Sequence, residues 1–278
     1  MYRKNILFFL LLVLISASCT EKEIVIPEYK PPTTKKAILV EEFTGVRCTN
    51  CPNGAEILKN MEEKYGDLIV PISIHSSDTW ATPTKSSKYD FRTDDGNKLM
   101  DLLSPLLYPS ASFNRVFFEN QDEIPVSPPS LWQSSIEEEL AKENVTFIDM
   151  ISDYNPDTRE INIKITISPL TDIEGDFKLS VALTEDKIID AQTFEHNIIK
   201  KDYEFNNVLK DMITPYDGTL LGSNLAKGAK IVKSFKYTLP TSKNLWVAEN
   251  INLVAFITGS KDNALLPVLN AVKKHLIE

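Results

Sequence analysis

Residues 38–52 read I-L-V-E-E-F-T-G-V-R-C-T-N-C-P: an apolar run, two acids, a Thr-Gly break, then two cysteines at C-x-x-C spacing. Ala37 to Phe43 has the apolar density of a buried strand, and Thr44-Gly45 ends it. From Pro52 to Tyr65 the period changes. Ala55, Ile57, Leu58 and Met61 fall near one helix face, Lys59, Glu62, Glu63 and Lys64 on the other, and Gly66 closes the helix. Leu68 to Ile74 reads as a second buried strand. Residues 37–74 are therefore expected to form a strand-helix-strand unit, with a crossover long enough for parallel pairing. The cysteine pair lies where the first strand hands over to the helix.

That position has chemical consequences. Unpaired backbone N–H groups and the macrodipole at a helix N-terminus favour a thiolate, and Arg47 adds a positive charge beside Cys48. Cys48 is then the exposed attacking thiol and Cys51, one turn in, the resolving thiol. Two other readings compete. A structural disulfide is one, although a four-residue ring removes little unfolded-state entropy and makes a poor staple. Capture of copper or zinc by Cys48, Cys51 and His75 is the other. Zinc needs about four ligands and the chain has three histidines, so no metal and no other cofactor is expected.

The N-terminus sets the compartment. Met1 to Asn5 is short and basic, Ile6 to Ile15 is unbroken apolar sequence, and Ser16-Ala17-Ser18 precedes Cys19. Residues 1–18 read as a lipoprotein signal peptide, too short to span a bilayer, with Cys19 as the lipidated residue anchoring the chain to the membrane. Residues 19–35, with Pro27, Pro31 and Pro32, read as a tether. Loss of Arg3 and Lys4 with the leader takes two positive charges from a formal net of −9, leaving −11. Such a chain does not bind nucleic acid through its backbone. With Cys19 assigned to the lipid, the remaining cysteines form a single pair in an oxidising compartment.

Farther along, a helix is expected around Asn97 to Leu107, after Asp94-Asp95-Gly96-Asn97, which reads as a turn. Ser112 to Phe118 reads as a strand and Leu131 to Lys142 as an amphipathic helix, with Glu137-Glu138-Glu139 on its solvated face. After residue 144 the period becomes two: Ile161, Ile163, Ile165 and Ile167 alternate with polar residues, as do Phe177, Leu179, Val181 and Leu183. Similar patterns run through 234–239 and 251–257. The expected architecture is an α/β domain over 36–144, followed by a mostly antiparallel β-sandwich, jelly-roll or immunoglobulin-like, over 145–278.

The segment 38–51 resembles the strand, turn and active-site helix of the thioredoxin-like superfamily. The resemblance implies that Glu42, six residues before Cys48, is the buried acid that moves the proton of Cys51, with Glu41 taking that place if the strand register differs by one. It also implies that Pro109 is a cis-proline opposite the disulfide, with Tyr108 offering its backbone to a bound peptide. Trp is absent before Cys48, and Thr49-Asn50 lies between the cysteines, which leaves redox direction open.

A second resemblance covers most of the chain. E-E-F-T-G-V-R-C-T-N-C-P-N-G at 41–54, Y-P-S-A-S-F-N-R at 108–115, Y-E-F-N-N-V-L-K-D-M at 203–212 and V-A-F-I at 254–257 resemble the outer membrane protein 28 related family. The family implies an exported lipoprotein with a thioredoxin-like N-terminal and a β-rich C-terminal domain, facing the periplasm or the cell surface. Glu21 and Glu23 resemble acidic export signals. The expected function is thiol-disulfide exchange on exported proteins. The alternative is a redox-silent outer-membrane binding or adhesion lipoprotein, with an extracellular ligand and a structural disulfide.

Overall fold

The computed structural model describes residues 36–119, 121–241, 244–260 and 267–277. The described residues form one compact unit. It is β-rich, mostly antiparallel, with few helices.

β1 (Ile38–Thr44) and β2 (Ile69–His75) pair in parallel from Ile38↔Ile69 to Thr44↔His75. Between them runs α1 (Cys51–Tyr65), which starts one residue before the expected Pro52. α2 (Asp94–Leu103) begins where a turn was expected, because Thr93 Oγ1 accepts from Gly96 N at 2.9 Å and caps it, while Asp94 and Asp95 suit the positive end of its dipole. It stops at Ser104, which turns left-handed at φ 50°, so the expected stretch to Leu107 is not helical. β3 (Ser110–Phe113) pairs antiparallel with β1. It is shorter than the expected 112–118 strand because Asn114 and Arg115 both adopt positive φ, and Asn114 instead bonds Leu39 through backbone and side chain. α3 (Trp132–Leu140) follows. Its Glu139 is not solvated: it is fully buried and accepts hydrogen bonds from Lys36, Lys142 and Asn114 Nδ2.

The strands of the second half are β4 (Thr146–Asn155), β5 (Glu160–Pro169), β6 (Ile173–Glu185), β7 (Ile188–Thr193), β8 (Ile199–Phe205), β9 (Val208–Met212), β10 (Thr219–Leu225), β11 (Ile231–Thr238), β12 (Ile251–Ser260) and β13 (Val268–His275). The expected division at 144/145 marks a change of strand pattern, not a break in the sheet. A single eight-stranded sheet runs in the order β13-β12-β6-β9-β2-β1-β3, with β10 also on β6. The physical reason is the open edge of β2, whose unpaired backbone groups need a partner. β9 supplies it, with Ser73 N donating to Asn207 O at 2.7 Å.

Two apolar layers flank this sheet at its β1-β2-β3 end. Ile38, Val40, Ile69 and Phe113 pack under Leu58, Met61, Trp132 and Ile136 of α1 and α3. On the opposite face, Leu39, Phe43, Ile72 and Ile74 meet Leu99 and Leu103 of α2. At the β6-β12 end a separate sheet, in the order β11-β5-β4, lays the alternating Ile161, Ile163, Ile165 and Ile167 against Leu179, Val181, Leu183 and Leu253. β7 and β8 form a hairpin sheet of their own.

Candidate functional site

Cys48 and Cys51 form a disulfide with Cα atoms 5.3 Å apart. The turn that holds it is built from backbone: Cys48 N donates to Gly45 O at 3.0 Å and Cys51 N to Cys48 O at 3.3 Å. Cys51 opens α1, with Asn50 at the cap position and Pro52 in the first turn, where a missing N–H does no harm. Gly45 is required by contact, since a Cβ there would lie 2.3 Å from the carbonyl oxygen of Trp80. Arg47 holds the same loop, its N donating to Trp80 O at 2.8 Å and its guanidinium to Thr82 O at 2.6 Å and Pro83 O at 2.7 Å.

The strand register assigns the two acids to opposite faces. Glu42 shares its face of β1 with Ile38 and Val40, which pack under α1, the helix that Cys51 begins. It is buried, accepts from Ser73 Oγ at 2.7 Å through Oε2, and leaves Oε1 without a hydrogen bond. Burial pushes its pKa up to about 7; the Ser73 bond opposes the shift and the charge of Glu62 adds to it. Glu41 points the other way, into a buried ion pair with Arg115 at 2.6 Å.

Pro109 follows a cis peptide bond after Tyr108. Its ring is packed on the first turn of α1: a Cβ at Gly54 would lie 3.1 Å from Pro109 Cβ and 3.1 Å from Trp132. Gly54 is thus a site residue the sequence reading missed. A glycine inside an otherwise strong helix pattern was the available signal. Tyr108 Oη bonds Ser76 Oγ at 2.9 Å, tying the Pro109 turn to the end of β2.

Cys48 is not exposed. It and Cys51 each keep 2% of their surface accessible, which corrects the expectation of an exposed attacking thiol. Segments remote in sequence bond the turn: Thr193 N donates to Val46 O at 2.9 Å and Gln192 Nε2 donates to Cys48 O at 2.9 Å. No local pattern in the sequence flags either residue. His75 is buried at the end of β2, with the rings of Phe91 at 5.0 Å and Phe205 at 5.6 Å. Among the described residues neither of its ring nitrogens finds a hydrogen bond of ordinary geometry, and burial lowers its pKa to about 4. Cys19 lies outside the described residues.

The family model for outer membrane protein Omp28 matches residues 106–278. It takes in Tyr108 and Pro109 and begins after the disulfide. Among solved structures, HBP35 of Porphyromonas gingivalis superposes with a TM-score of 0.66 at 13% identity, covering 88% of this chain and 76% of that one. A protein of Agrobacterium tumefaciens, solved as a structural-genomics target, gives 0.52 at 15% identity, covering 90% and 97%. At such identities the likeness is one of fold. A sequence search among curated proteins finds no match. With more than half of its length matched by that one family model, the chain belongs to the outer membrane protein Omp28 family.

Proposed function

We propose that this protein is an outer-membrane lipoprotein, anchored through Cys19, whose thioredoxin-like N-terminal part exchanges disulfides with exported proteins through Cys48 and Cys51. The observation that carries the reading is the packing of Pro109 against the first turn of the helix that bears the disulfide. Support comes from Glu42, a buried acid on the α1 face with a pKa of about 7, close to the pH at which a proton must be given and taken back.

In one direction, a client thiolate attacks Cys48 Sγ. A client-Cys48 disulfide forms and Cys51 leaves as a thiolate that takes its proton from the Glu42 carboxyl. A second client thiolate then attacks the client sulfur, and Cys48 leaves. The client has lost two electrons to become a disulfide, and the pair has gained them as the Cys51 thiol and the Cys48 thiolate. The reverse sequence starts from a Cys48 thiolate and reduces a client. Arg47 sits beside Cys48 and Tyr108 presents backbone to the client chain in either direction.

The test is a Cys51→Ser variant in cells. Capture of exported proteins as mixed disulfides on Cys48, abolished by adding Cys48→Ser, supports exchange; an empty trap overturns it. The burial of both cysteines favours a second reading, a redox-silent binding lipoprotein. That reading predicts no turnover of a dithiol test substrate and unchanged client disulfides in a Cys48→Ser strain. Anchoring is tested separately, by loss of fatty-acid label in Cys19→Ser.

A further inference from the structure

The β7-β8 hairpin belongs to neither larger sheet, yet it closes the site. Gln192 is 2% exposed. Its Nε2 donates to Cys48 O at 2.9 Å, to Thr193 O at 2.9 Å and to Gly45 O at 3.4 Å, so one amide spans both carbonyls that shape the disulfide turn. Two residues back on the same strand, the Asp190 carboxylate accepts from Lys88 N at 2.8 Å and Tyr89 N at 3.0 Å. The hairpin thereby also holds the 76–93 loop, which Arg47 bonds at Thr82 and Pro83.

The two ends of the hairpin are held differently. At its base, Ile188 and Phe205 are buried with Val46, Phe91 and Val208, and Phe205 meets Phe91 and Tyr203 edge-to-face. Toward its tip, Ile198 and Ile199 are exposed, as are Lys200 and Lys201. The β7 side of this end stays buried at Ala191, Gln192 and Thr193, and its hydrogen bonds to the disulfide turn are those of Gln192 and Thr193. A two-stranded hairpin has little stability of its own, and segments with few buried contacts open at lower free energy than a core sheet.

We propose that Gln192 is a positioning residue that latches the β7-β8 hairpin over Cys48, so that the disulfide reacts only when the hairpin tip is displaced. The latch rests on the exchange reading for its purpose, since it makes access a selective step. Its existence is tested without any client.

The experiment follows reduction of the oxidised folded chain by dithiothreitol, in which the reagent's two thiols become a ring disulfide and Cys48 and Cys51 gain two electrons and two protons. Gln192→Met keeps the volume and removes the donors. The expected result is a wild-type rate that saturates at high dithiothreitol, where opening limits it, and a Gln192→Met rate at least tenfold faster that keeps rising with concentration. Ile165→Val, in the separate β5 sheet, lowers stability remotely and is expected to follow the wild type. Equal rates for wild type and Gln192→Met overturn the latch, and so does equal acceleration by Ile165→Val, which would assign the effect to global unfolding. If Gln192→Met is accelerated while the Cys51→Ser trap stays empty, the latch stands and the exchange reading falls. If the trap fills while Gln192→Met matches the wild type, the reverse holds.

Discussion

The ring of Pro109 and the backbone of Gly54 are in direct contact, with Pro109 Cβ 3.1 Å from the place a Cβ at residue 54 would occupy. This contact joins the strand after the cis bond to the disulfide-bearing helix, and Trp132 closes it from α3 at the same distance. Gly54→Val drives a branched side chain into both. The expected loss is about 1–3 kcal/mol, the usual penalty for overpacking a filled core. Urea unfolding measures it; an unchanged midpoint would show that the Pro109 turn yields freely.

Glu42 and His75 give opposite pH dependences. Glu42 has its pKa raised from 4.5 to about 7, so its contribution to stability is full below pH 4.5 and is lost as pH rises through 7. His75 has its pKa lowered from 6.5 to about 4, so its contribution is present above pH 6.5 and is lost as pH falls through 4. Ser73, Glu62 and Tyr203 surround the first group, Asp90 and Lys210 the second. In the wild type the two slopes nearly cancel between about pH 4.5 and 6.5. Glu42→Gln is expected to leave stability rising with pH by roughly 3 kcal/mol across that window, and His75→Phe to leave it falling by a similar amount. Denaturant titrations at pH 4.5 and 7 decide it. Parallel profiles for both variants and wild type would contradict these shifts.

Arg115 and Glu41 are both buried, bonded at 2.6 and 2.9 Å, with the guanidinium 5.2 Å above the Phe256 ring. Arg115→Met strands the carboxylate and is expected to cost about 3–5 kcal/mol. Adding Glu41→Leu should restore much of that loss, because the cost lies in an unpaired buried charge. A double variant no better than the single would mean that the pair also organises the left-handed turn at Asn114 and Arg115.

The disulfide itself should contribute little to folding. A four-residue ring is worth about 2 kcal/mol or less by loop-closure entropy, so Cys48→Ser with Cys51→Ser is expected to lower stability by no more than that. A loss of 5 kcal/mol, measured by urea unfolding, would favour the structural reading of the pair over exchange.

Local physics carries its signal in neighbouring residues. The strand-to-helix junction at 38–52, the parallel β1-α1-β2 unit and the isoleucine alternation of β5 follow from periodicity and were legible without a structure. The choice of Glu42 over Glu41 for the α1 face needed the register, since a shift of one residue exchanges the two sides of a strand. The sheet's continuity across 144/145 depends on β9 meeting the open edge of β2, a pairing more than 130 positions apart in the chain. The disulfide turn at residues 45–48 is bonded by Gln192 and Thr193, and no window of sequence spans that distance. Sequence by itself determined that a cysteine pair opens a helix after a buried strand. Only the tertiary structure decided which acid lies on the α1 face, what Pro109 touches and what covers the disulfide, because those outcomes come from packing between segments that the chain brings together only when folded.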